Sequence, residues 1–332
     1  MRLREVCSVV AYFILTATAV TAVAMAGVQF PQTCANGKPQ FPDMDPANVH
    51  PATKSLPIDA CGVTGADETG TPEPTASAEG KQNGRKNNFC ATGTPAPITV
   101  ASYAALQGPA AAAVAKQEAA APKKPAATGN ATKNPGHHPS ESKGPPTDRS
   151  VLEGFGEGKV VVFEGYVFEG RQESKETVNC EDKGVPAADG SHDIHISLLA
   201  QQPTTNPDAT DAAGKLAAEK EECTGIVAEM IPHHRPGEWT SCNVNDAAQK
   251  KLRVRVTGQQ FYDGSHEPCK SGMPVGKNPK RVALWEIHPI YKFEVCPTGN
   301  CTSSGWQPLV QYDQGKTECV TKKEPSTKVP AK

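Results

Sequence analysis

The stretch KVVVFEGYVFEG, residues 159–170, decides the fold of this chain. It is rich in β-branched and aromatic residues, which favours a β-strand. Gly165 lies in the middle of the run and predicts a bulge or a sharp coil, because glycine inside a strand often marks such a distortion. A coiled, glycine-bearing first strand is what we expect of a small barrel of the oligonucleotide/oligosaccharide-binding (OB) type.

Four later runs also have strand patterns. HDIHISLLA (192–200) and LRVRVTGQQFY (252–262) alternate apolar and polar residues, which is typical of strands with one buried face. TGIVAEMI (224–231) is apolar on both faces apart from one glutamate. VALWEIHPIYKFEV (282–295) contains Pro289, which should change the set of residues that faces the core.

These five strands, with one helix expected at residues 211–222, predict a mainly β fold. The leading architecture is a small OB-like five-stranded barrel. An immunoglobulin-like sandwich is the alternative, although it would normally show more strands.

The chain begins with Arg2 and Arg4, continues with an apolar run, and reaches the small-residue pattern Ala24-Met25-Ala26. This order is typical of a cleaved signal peptide, so the protein is expected in the periplasm or outside the cell. The alternative is an uncleaved N-terminal anchor. The expected organisation is a signal peptide (1–26), an irregular cysteine-containing N-terminal section (27–107), an Ala/Pro-rich linker (108–149), a β domain (150–320) and a disordered tail (321–332).

Composition narrows the function classes. The formal net charge of −2 argues against bulk nucleic-acid binding, which would show as a basic excess. No apolar stretch after the signal is long enough to span a membrane. The chain shows no C-x-x-C pair, no G-x-S-x-G elbow and no phosphate-binding glycine loop. The partner of the protein is not indicated.

Cysteine usage predicts disulfide bonds. Of the 11 cysteines, one lies in the signal segment, and the other ten are an even number in an exported chain. Cys296 and Cys301 flank a turn-like sequence and are the expected local pair. The N-terminal section holds three cysteines and the β domain seven, so full pairing requires a bridge across the linker. Cys90, beside the apolar Phe89, is the expected crossing residue.

Two strands each place a carboxylate and an imidazole on one face. Asp193 and His195 are two residues apart, as are Glu286 and His288, and alternate strand residues point to the same side. These groups would suit a divalent metal ion such as zinc, the one cofactor indicated. The alternative is the ordinary pattern of a strand with one solvated face.

Three further polar residues could join this face. Glu229 interrupts an otherwise apolar strand, where an unpaired charge would be costly, and it could be neutralised by Arg281 or by Arg253 or Arg255. Asp263 and His266 follow a strand in a turn-like segment. The sequence thus nominates Asp193, His195, His266 and His288 as metal ligands, with Glu229 and Glu286 as candidate catalytic residues and Asp263 and Arg281 as supporting residues.

The strings DIHISL, CTGIVAEMIPHHRP, LRVRVTGQQFYDGSHEPC and ALWEIHPIYKFEVC resemble a family of uncharacterised secreted bacterial proteins. That family carries an Asp-x-His strand, a Glu-bearing strand, a VTG…FD…H segment and a Glu-x-His-Pro strand in this order. KNNFCATG and YAALQ are similar to the N-terminal part of its longer members. The resemblance has no assigned activity, and it implies that the following residues belong together: Asp193, His195, Glu229, Asp263, His266, Glu286 and His288.

Two functions from different classes follow. The first is an exported binding or structural module whose barrel holds a divalent metal or a small polar ligand on the Asp/His/Glu face. The second is a metal-dependent hydrolase of phosphodiesterase or nuclease type, in which Glu229 or Glu286 acts as general base on a bound water. The near-neutral charge favours the module, because a nuclease usually brings basic residues to its phosphates.

Overall fold

The structure is a computed structural model that describes residues 34, 62–66, 71–120, 146, 148–173, 176–179, 192–233, 235–236, 238–276, 278–302 and 304–312. The expected signal peptide, most of the linker and the C-terminal tail lie outside these residues. The helices are α1 (Ala78–Lys86), α2 (Val100–Ala120), α3 (Ser150–Glu153), α4 (Ala212–Glu222) and α5 (Ser241–Gln249). The strands are β1 (Ala96–Ile98), β2 (Val160–Gln172), β3 (Ile194–Leu199), β4 (Ile226–Met230), β5 (Arg253–Tyr262), β6 (Trp285–Cys296) and β7 (Gln307–Pro308).

Five strands close into a barrel in the order β2, β3, β4, β6, β5, with β5 pairing again with β2. Strands β4 and β6 are parallel, and the other barrel neighbours are antiparallel. This order, with α5 between the third and fourth barrel strands, is that of an OB barrel. The predicted fold class is therefore confirmed, and the immunoglobulin-like alternative is wrong because the sheet closes on itself.

The barrel interior is filled by alternate strand residues. Ile194 and Ile196 of β3 and Ala228 and Met230 of β4 belong to the main hydrophobic core. The residues between them therefore point to the outside of the barrel, because successive strand side chains face opposite sides. This alternation is what places the polar residues of β3 and β4 on the outer surface.

Two backbone features shape the barrel as the sequence predicts. A Cβ at Gly165 would lie 2.2 Å from the Leu199 carbonyl oxygen, so only glycine allows the close approach of β2 and β3 at the coil. Near Pro289 the register of β5 and β6 shifts, and the core position after Ile287 is Ile290. The predicted change of parity is confirmed.

Helices seal the barrel. Helix α5 contributes Val244 to the core, and the Asn245 side-chain amide exchanges two hydrogen bonds with the backbone of Gly170 (2.7 and 2.8 Å). Helix α2 contributes Tyr103, and its Gln107 Oε1 accepts a hydrogen bond from the Leu284 backbone N–H (2.6 Å). Helix α2 continues through the Ala-rich run to Ala120, so it includes the first part of the stretch that composition assigns to the linker.

The N-terminal section packs on the outside of the barrel. After α1, Phe89 packs in a second hydrophobic cluster with Ile231 and Tyr291. The Tyr291 hydroxyl donates a hydrogen bond to the Asn88 carbonyl (2.5 Å). Composition did not indicate α1, because its nine residues have no apolar side chain except Ala78. This short helix is held by its attachment to the barrel more than by an apolar stripe of its own.

Three disulfides are described in full. Cys296–Cys301 is confirmed, and Cys223–Cys269 joins the end of α4 to the loop after β5. Cys90 pairs with Cys34, within the N-terminal section, so its predicted role as the crossing residue is wrong. Phe89 does anchor this segment to the barrel, but it does so by packing. Cys242 is also disulfide-bonded, and Cys61 lies outside the described residues.

Among the described residues, none of the helices combines the length and the apolar character that a membrane span requires.

Candidate metal centre

The centre is built around a cross-strand pair on the outside of the barrel. His195 of β3 and Glu229 of β4 are direct register partners. His195 Nε2 lies 3.1 Å from Glu229 Oε1, and the two side chains are almost fully buried. They face outward because their neighbours in sequence fill the barrel interior.

Strand β6 adds the second carboxylate and imidazole to the same face. His288 Nδ1 lies 2.6 Å from Glu229 Oε2 and 3.3 Å from Glu286 Oε1. Both β6 residues are fully buried. The predicted common face of His195 and His288 is therefore confirmed, with Glu229 between the two rings.

The loop between β2 and β3 closes one side of the cluster. Asp193 is fully buried, and its Oδ1 accepts a hydrogen bond from Asn179 Nδ2 (2.8 Å). Glu176 Oε1 lies 3.2 Å from His195 Nε2. On the other side of that ring, Glu173 Oε1 lies 3.2 Å from His195 Nδ1. The ring is thus flanked by carboxylates at both nitrogens.

The loop between β5 and β6 closes the other side. Buried Asp263 contacts His266 Nδ1 through Oδ2 and accepts a hydrogen bond from the Ser265 backbone N–H at Oδ1 (2.9 Å). Arg281 Nη1 lies 2.7 Å from Glu286 Oε2 and 3.4 Å from Asp263 Oδ2. The ring centroid of His266 is 6.4 Å from that of His195.

The N-terminal section supplies a cation to the cluster. Lys86, in the last turn of α1, is buried, and its Nζ lies 3.5 Å from Glu176 Oε2 and 3.6 Å from Glu229 Oε2. These two contacts place the C-terminal end of α1 over the polar face. The N-terminal section is thus part of the site.

The structure gathers all the nominated residues but changes some of their partners. Glu229 directly contacts His195, His288 and Lys86, while Arg281, one of the arginines that could neutralise it, acts on it only at longer range. Arg281 pairs with Glu286 and Asp263 instead, while Arg253 pairs with Glu164 and Arg255 with Glu294.

Sequence reasoning missed Glu176, Glu173 and Lys86. They come from a loop and from the separate N-terminal section, where no strand alternation marks them. For Lys86 the sequence offered one indication, because this residue begins the KNNFCATG string of the resemblance.

The polar face is not solvated, so the interpretation as an ordinary half-exposed strand is wrong. Asp193, Glu229, Glu286 and His288 are 0% exposed. The side chains of Glu173, Glu176 and His266 are 25%, 21% and 23% exposed. These three residues form the mouth through which the buried cluster meets solvent.

Opposite charges shift the pKa values at the centre of the cluster. Burial by itself would lower the pKa of His195, but Glu229 and its neighbours raise that pKa well above its usual range. Burial would raise the pKa of Glu229, yet His195, Lys86 and His288 hold it well below its usual range. The same competition raises the pKa of His288 to about 9, chiefly through Glu229.

The outer carboxylates respond in opposite ways. Burial, reinforced by Glu176 and Glu229, raises the pKa of Asp193 to about 8. For Glu176, burial is outweighed by Lys86 and His195, which lower the pKa to about 2. Without a metal ion, the cluster therefore carries protons at neutral pH on both histidines and on Asp193.

Charge counting explains why those protons are held. Lys86 and Arg281 face five carboxylates, and Arg235 adds a third cation near Asp193, so the carboxylates still outnumber these cations before histidine protonation. Removing such an excess from water is costly unless protons or a cation neutralise it. The five carboxylates are those of Glu176, Asp193, Glu229, Asp263 and Glu286.

Several of these atoms approach one another without a hydrogen bond of good geometry. Within the described residues this is true of both oxygens of Glu229, both ring nitrogens of His195 and Asp193 Oδ2, so their contacts are those of closely spaced charged groups. One atom each from Glu176, Asp193, His195 and Glu229 can be chosen so that all lie within 4.8 Å of one another. His266 is not in that group, because its Nδ1 faces Asp263.

The cluster occupies the surface where OB barrels bind ligands. That surface is the outer face of the second and third barrel strands. It is bordered by the loop that joins the first strand to the second and by the loop that joins the fourth strand to the fifth. Here those elements are β3, β4 and the loops that carry Glu176 and Asp263. The buried polar cluster therefore lies where proteins of this fold present their ligand-binding residues.

No protein-family model matches the chain, and searches of the curated proteins and of the solved structures give no significant match. The resemblance to secreted bacterial proteins therefore stays a prediction.

Proposed function

We propose that this protein is an exported metal-binding module that holds a divalent transition-metal ion on the OB ligand face. The ligands are His195, Glu229 and Glu176, with Asp193 completing the set. Imidazole nitrogen and carboxylate oxygen are donors that zinc and related divalent ions accept. The disulfides among the described residues support export, because such bonds persist in oxidising compartments.

The observation that carries the proposal is the spacing of the donor atoms. His195 Nε2 lies 3.1 Å from Glu229 Oε1 and 3.2 Å from Glu176 Oε1. Ligand atoms about 2.1 Å from one tetrahedral or octahedral ion lie roughly 3.0–3.4 Å from each other. The two contacts have this spacing.

The surroundings support the same assignment. Glu173 Oε1, at 3.2 Å from His195 Nδ1, is placed as the outer carboxylate that orients a metal-binding imidazole. Replacing the protons that His195 and Asp193 hold in the metal-free cluster with one divalent ion leaves the charge of the buried cluster unchanged. An ion is also the ligand size that fits, because α1 with Lys86 covers the face on which an OB barrel would otherwise hold a polymer.

The test is the metal content of the oxidised full chain after purification and dialysis against Zn²⁺ or Mn²⁺. We expect at least one tightly bound ion per chain, and His195→Gln should weaken binding by at least about 100-fold. His137→Gln, in the Ala/Pro-rich stretch, is the matched control and should bind as the wild type does. A wild-type chain that binds neither ion would exclude the proposal.

A metal-dependent hydrolase is a second candidate, supported by the Asp263–His266 pair at the mouth. Asp263 holds Nδ1 of a partly exposed His266, an arrangement that leaves Nε2 available for proton transfer. A nearby ion would supply an activated water. The discriminating assay measures phosphodiester hydrolysis with and without chelator. Chelator-sensitive turnover that His266→Gln abolishes, with metal content unchanged, would favour the hydrolase, while stoichiometric metal without turnover favours the module.

A further inference from the structure

We infer that the centre holds two divalent ions bridged by Glu229. The second ion would bind on the β6 side, between Glu229, Glu286 and His288. This inference rests on the proposed function, because the first ion is the one held by Glu176, Asp193, His195 and Glu229. It adds a second site and assigns Glu229 to both.

The two oxygens of Glu229 serve different groups of residues. Oε1 lies 3.1 Å from His195 Nε2, whereas Oε2 lies 2.6 Å from His288 Nδ1. Glu229 and Glu286 each offer an oxygen, and His288 offers a nitrogen, within 4.8 Å of one another. One carboxylate thus belongs to two donor sets, which is the arrangement of a bridging ligand.

In the metal-free cluster one ring nitrogen of His288 is shared by two buried carboxylates. His288 Nδ1 lies 3.3 Å from Glu286 Oε1 and 2.6 Å from Glu229 Oε2. The single proton on Nδ1 can serve only one of these oxygens fully, and both carboxylates are fully buried. A buried carboxylate oxygen without a full hydrogen bond costs free energy. A cation in place of that proton would serve all three atoms, and the 2.6 Å contact would open to the ligand spacing of about 3 Å.

Arg281 leaves the required oxygen of Glu286 available. Arg281 Nη1 lies 2.7 Å from Glu286 Oε2, whereas His288 faces Glu286 Oε1. Arg281 would therefore orient Glu286 without occupying the second site. This is the role of the outer groups that hold metal-binding carboxylates in place.

The charges of the cluster also accommodate two ions. The carboxylates of the cluster outnumber its lysine and arginine side chains, so the buried negative charge favours a second divalent ion once the histidine protons have left. Paired ions in such centres lie about 3.5–4 Å apart, a distance that a single bridging carboxylate spans. A single ion with a protonated His288 is the alternative, so the number of ions separates the two arrangements.

The experiment loads the oxidised full chain with Mn²⁺, removes free ion by dialysis, and measures manganese per chain together with the low-temperature electron paramagnetic resonance spectrum. We expect two Mn²⁺ per chain and the spectrum of an exchange-coupled pair. His288→Gln should retain one Mn²⁺ with the six-line spectrum of an isolated ion. Glu164→Gln, an exposed acid-to-amide change on β2, is the control and should retain two.

The outcomes separate the inference from the proposed function. One Mn²⁺ per wild-type chain with an isolated-ion spectrum would overturn the second site and leave the first intact. Two ions retained by a folded His288→Gln variant would overturn the assignment to β6. Failure to bind any Mn²⁺ or Zn²⁺ would remove both. The wild-type stoichiometry and spectrum decide the main point even if a variant fails to fold.

Discussion

His195 and Glu229 are register partners on the outer face of the barrel, and His195 Nε2 lies 3.1 Å from Glu229 Oε1. Neither charge would be tolerated alone at this depth, because a buried ion without a partner is strongly destabilising. The pair is extended by His288 and Lys86, which approach the other oxygen of Glu229 at 2.6 and 3.6 Å. Glu229 is therefore the anion on which the metal-free cluster depends.

Replacing that anion should destabilise the metal-free protein. We expect Glu229→Gln to lower the free energy of unfolding at pH 7 by about 3–5 kcal/mol, because three buried cations lose their common partner. Urea unfolding with the disulfides intact measures this change. Glu164→Gln is the matched control: its carboxylate is 43% exposed and pairs with Arg253 at the surface, so the loss should be under about 1 kcal/mol. Equal losses in the two variants would contradict the central role of Glu229.

The metal-free protein should lose stability as the pH rises above neutrality. The folded pKa of His288 is raised to about 9, so its contribution is fully present below the ordinary histidine pKa of about 6.5 and is lost as the pH rises through 9. The pKa of Asp193, raised to about 8, acts in the same direction, since the folded chain holds a proton that the unfolded chain has released. Between pH 6.5 and 9 the free energy of unfolding should fall by roughly 2–3 kcal/mol through His288, and by about 2 kcal/mol more through Asp193.

Thermal unfolding from pH 6 to 9.5 in the presence of chelator measures this fall. Saturating Zn²⁺ should remove most of it, because the ion takes the place of the protons and binds more tightly once they have left. A melting temperature that stays constant or rises over this range in chelator would contradict the assigned pKa shifts.

The N-terminal section should detach when its apolar anchor is removed. Phe89 is 1% exposed, and its ring centroid lies 6.4 Å from that of Tyr291. Phe89→Ala should therefore lower the free energy of unfolding by about 3 kcal/mol and release α1 from the barrel. Hydrogen exchange should then accelerate in Ala78–Lys86 relative to the barrel strands. Leu216→Ala is the apolar control, since Leu216 is 41% exposed and its loss should cost under about 0.5 kcal/mol. Unchanged exchange in α1 would mean that other contacts suffice to hold it.

Non-reducing peptide mapping should find the N-terminal section linked covalently to the β domain. Cys34–Cys90 uses two of its three cysteines, which leaves Cys61 as the only one that can cross. We expect all ten cysteines after the signal to be paired and one bridge to join Cys61 to the β domain. Two alkylatable thiols, one of them Cys61, would show instead that the sections are held together by packing alone.

Much of the barrel could be predicted from the sequence because strand patterns are local. Alternation with a period of two identifies β3 and β5, and the ends of all five barrel strands differ from their predicted positions by three residues or fewer. Gly165 and Pro289 mark the coil and the parity change for equally local reasons, namely a missing Cβ and a missing N–H. The common face of Asp193 and His195 follows from the same period.

The sequence by itself also determined the short disulfide, since Cys296 and Cys301 flank a turn, but it could not assign Cys90. A bridge between distant cysteines depends on which segments meet in space, and the spacing along the chain does not record that. Helix α1 was missed for a related reason: it is a polar helix stabilised by contacts outside itself, so it lacks the apolar periodicity that predicts helices.

Only the tertiary structure decided that the polar face is a buried site and not a solvated surface. Alternation shows that His195 and Glu229 share a side of the sheet, but the covering of that side depends on α1 and on the loop that carries Glu176. Lys86 and Glu176 reach the cluster through the docking of elements far apart in sequence, and no periodic pattern encodes such docking. Once the face is covered, loss of solvent makes each charge depend on its neighbours, and that dependence turns separate polar residues into one candidate metal centre.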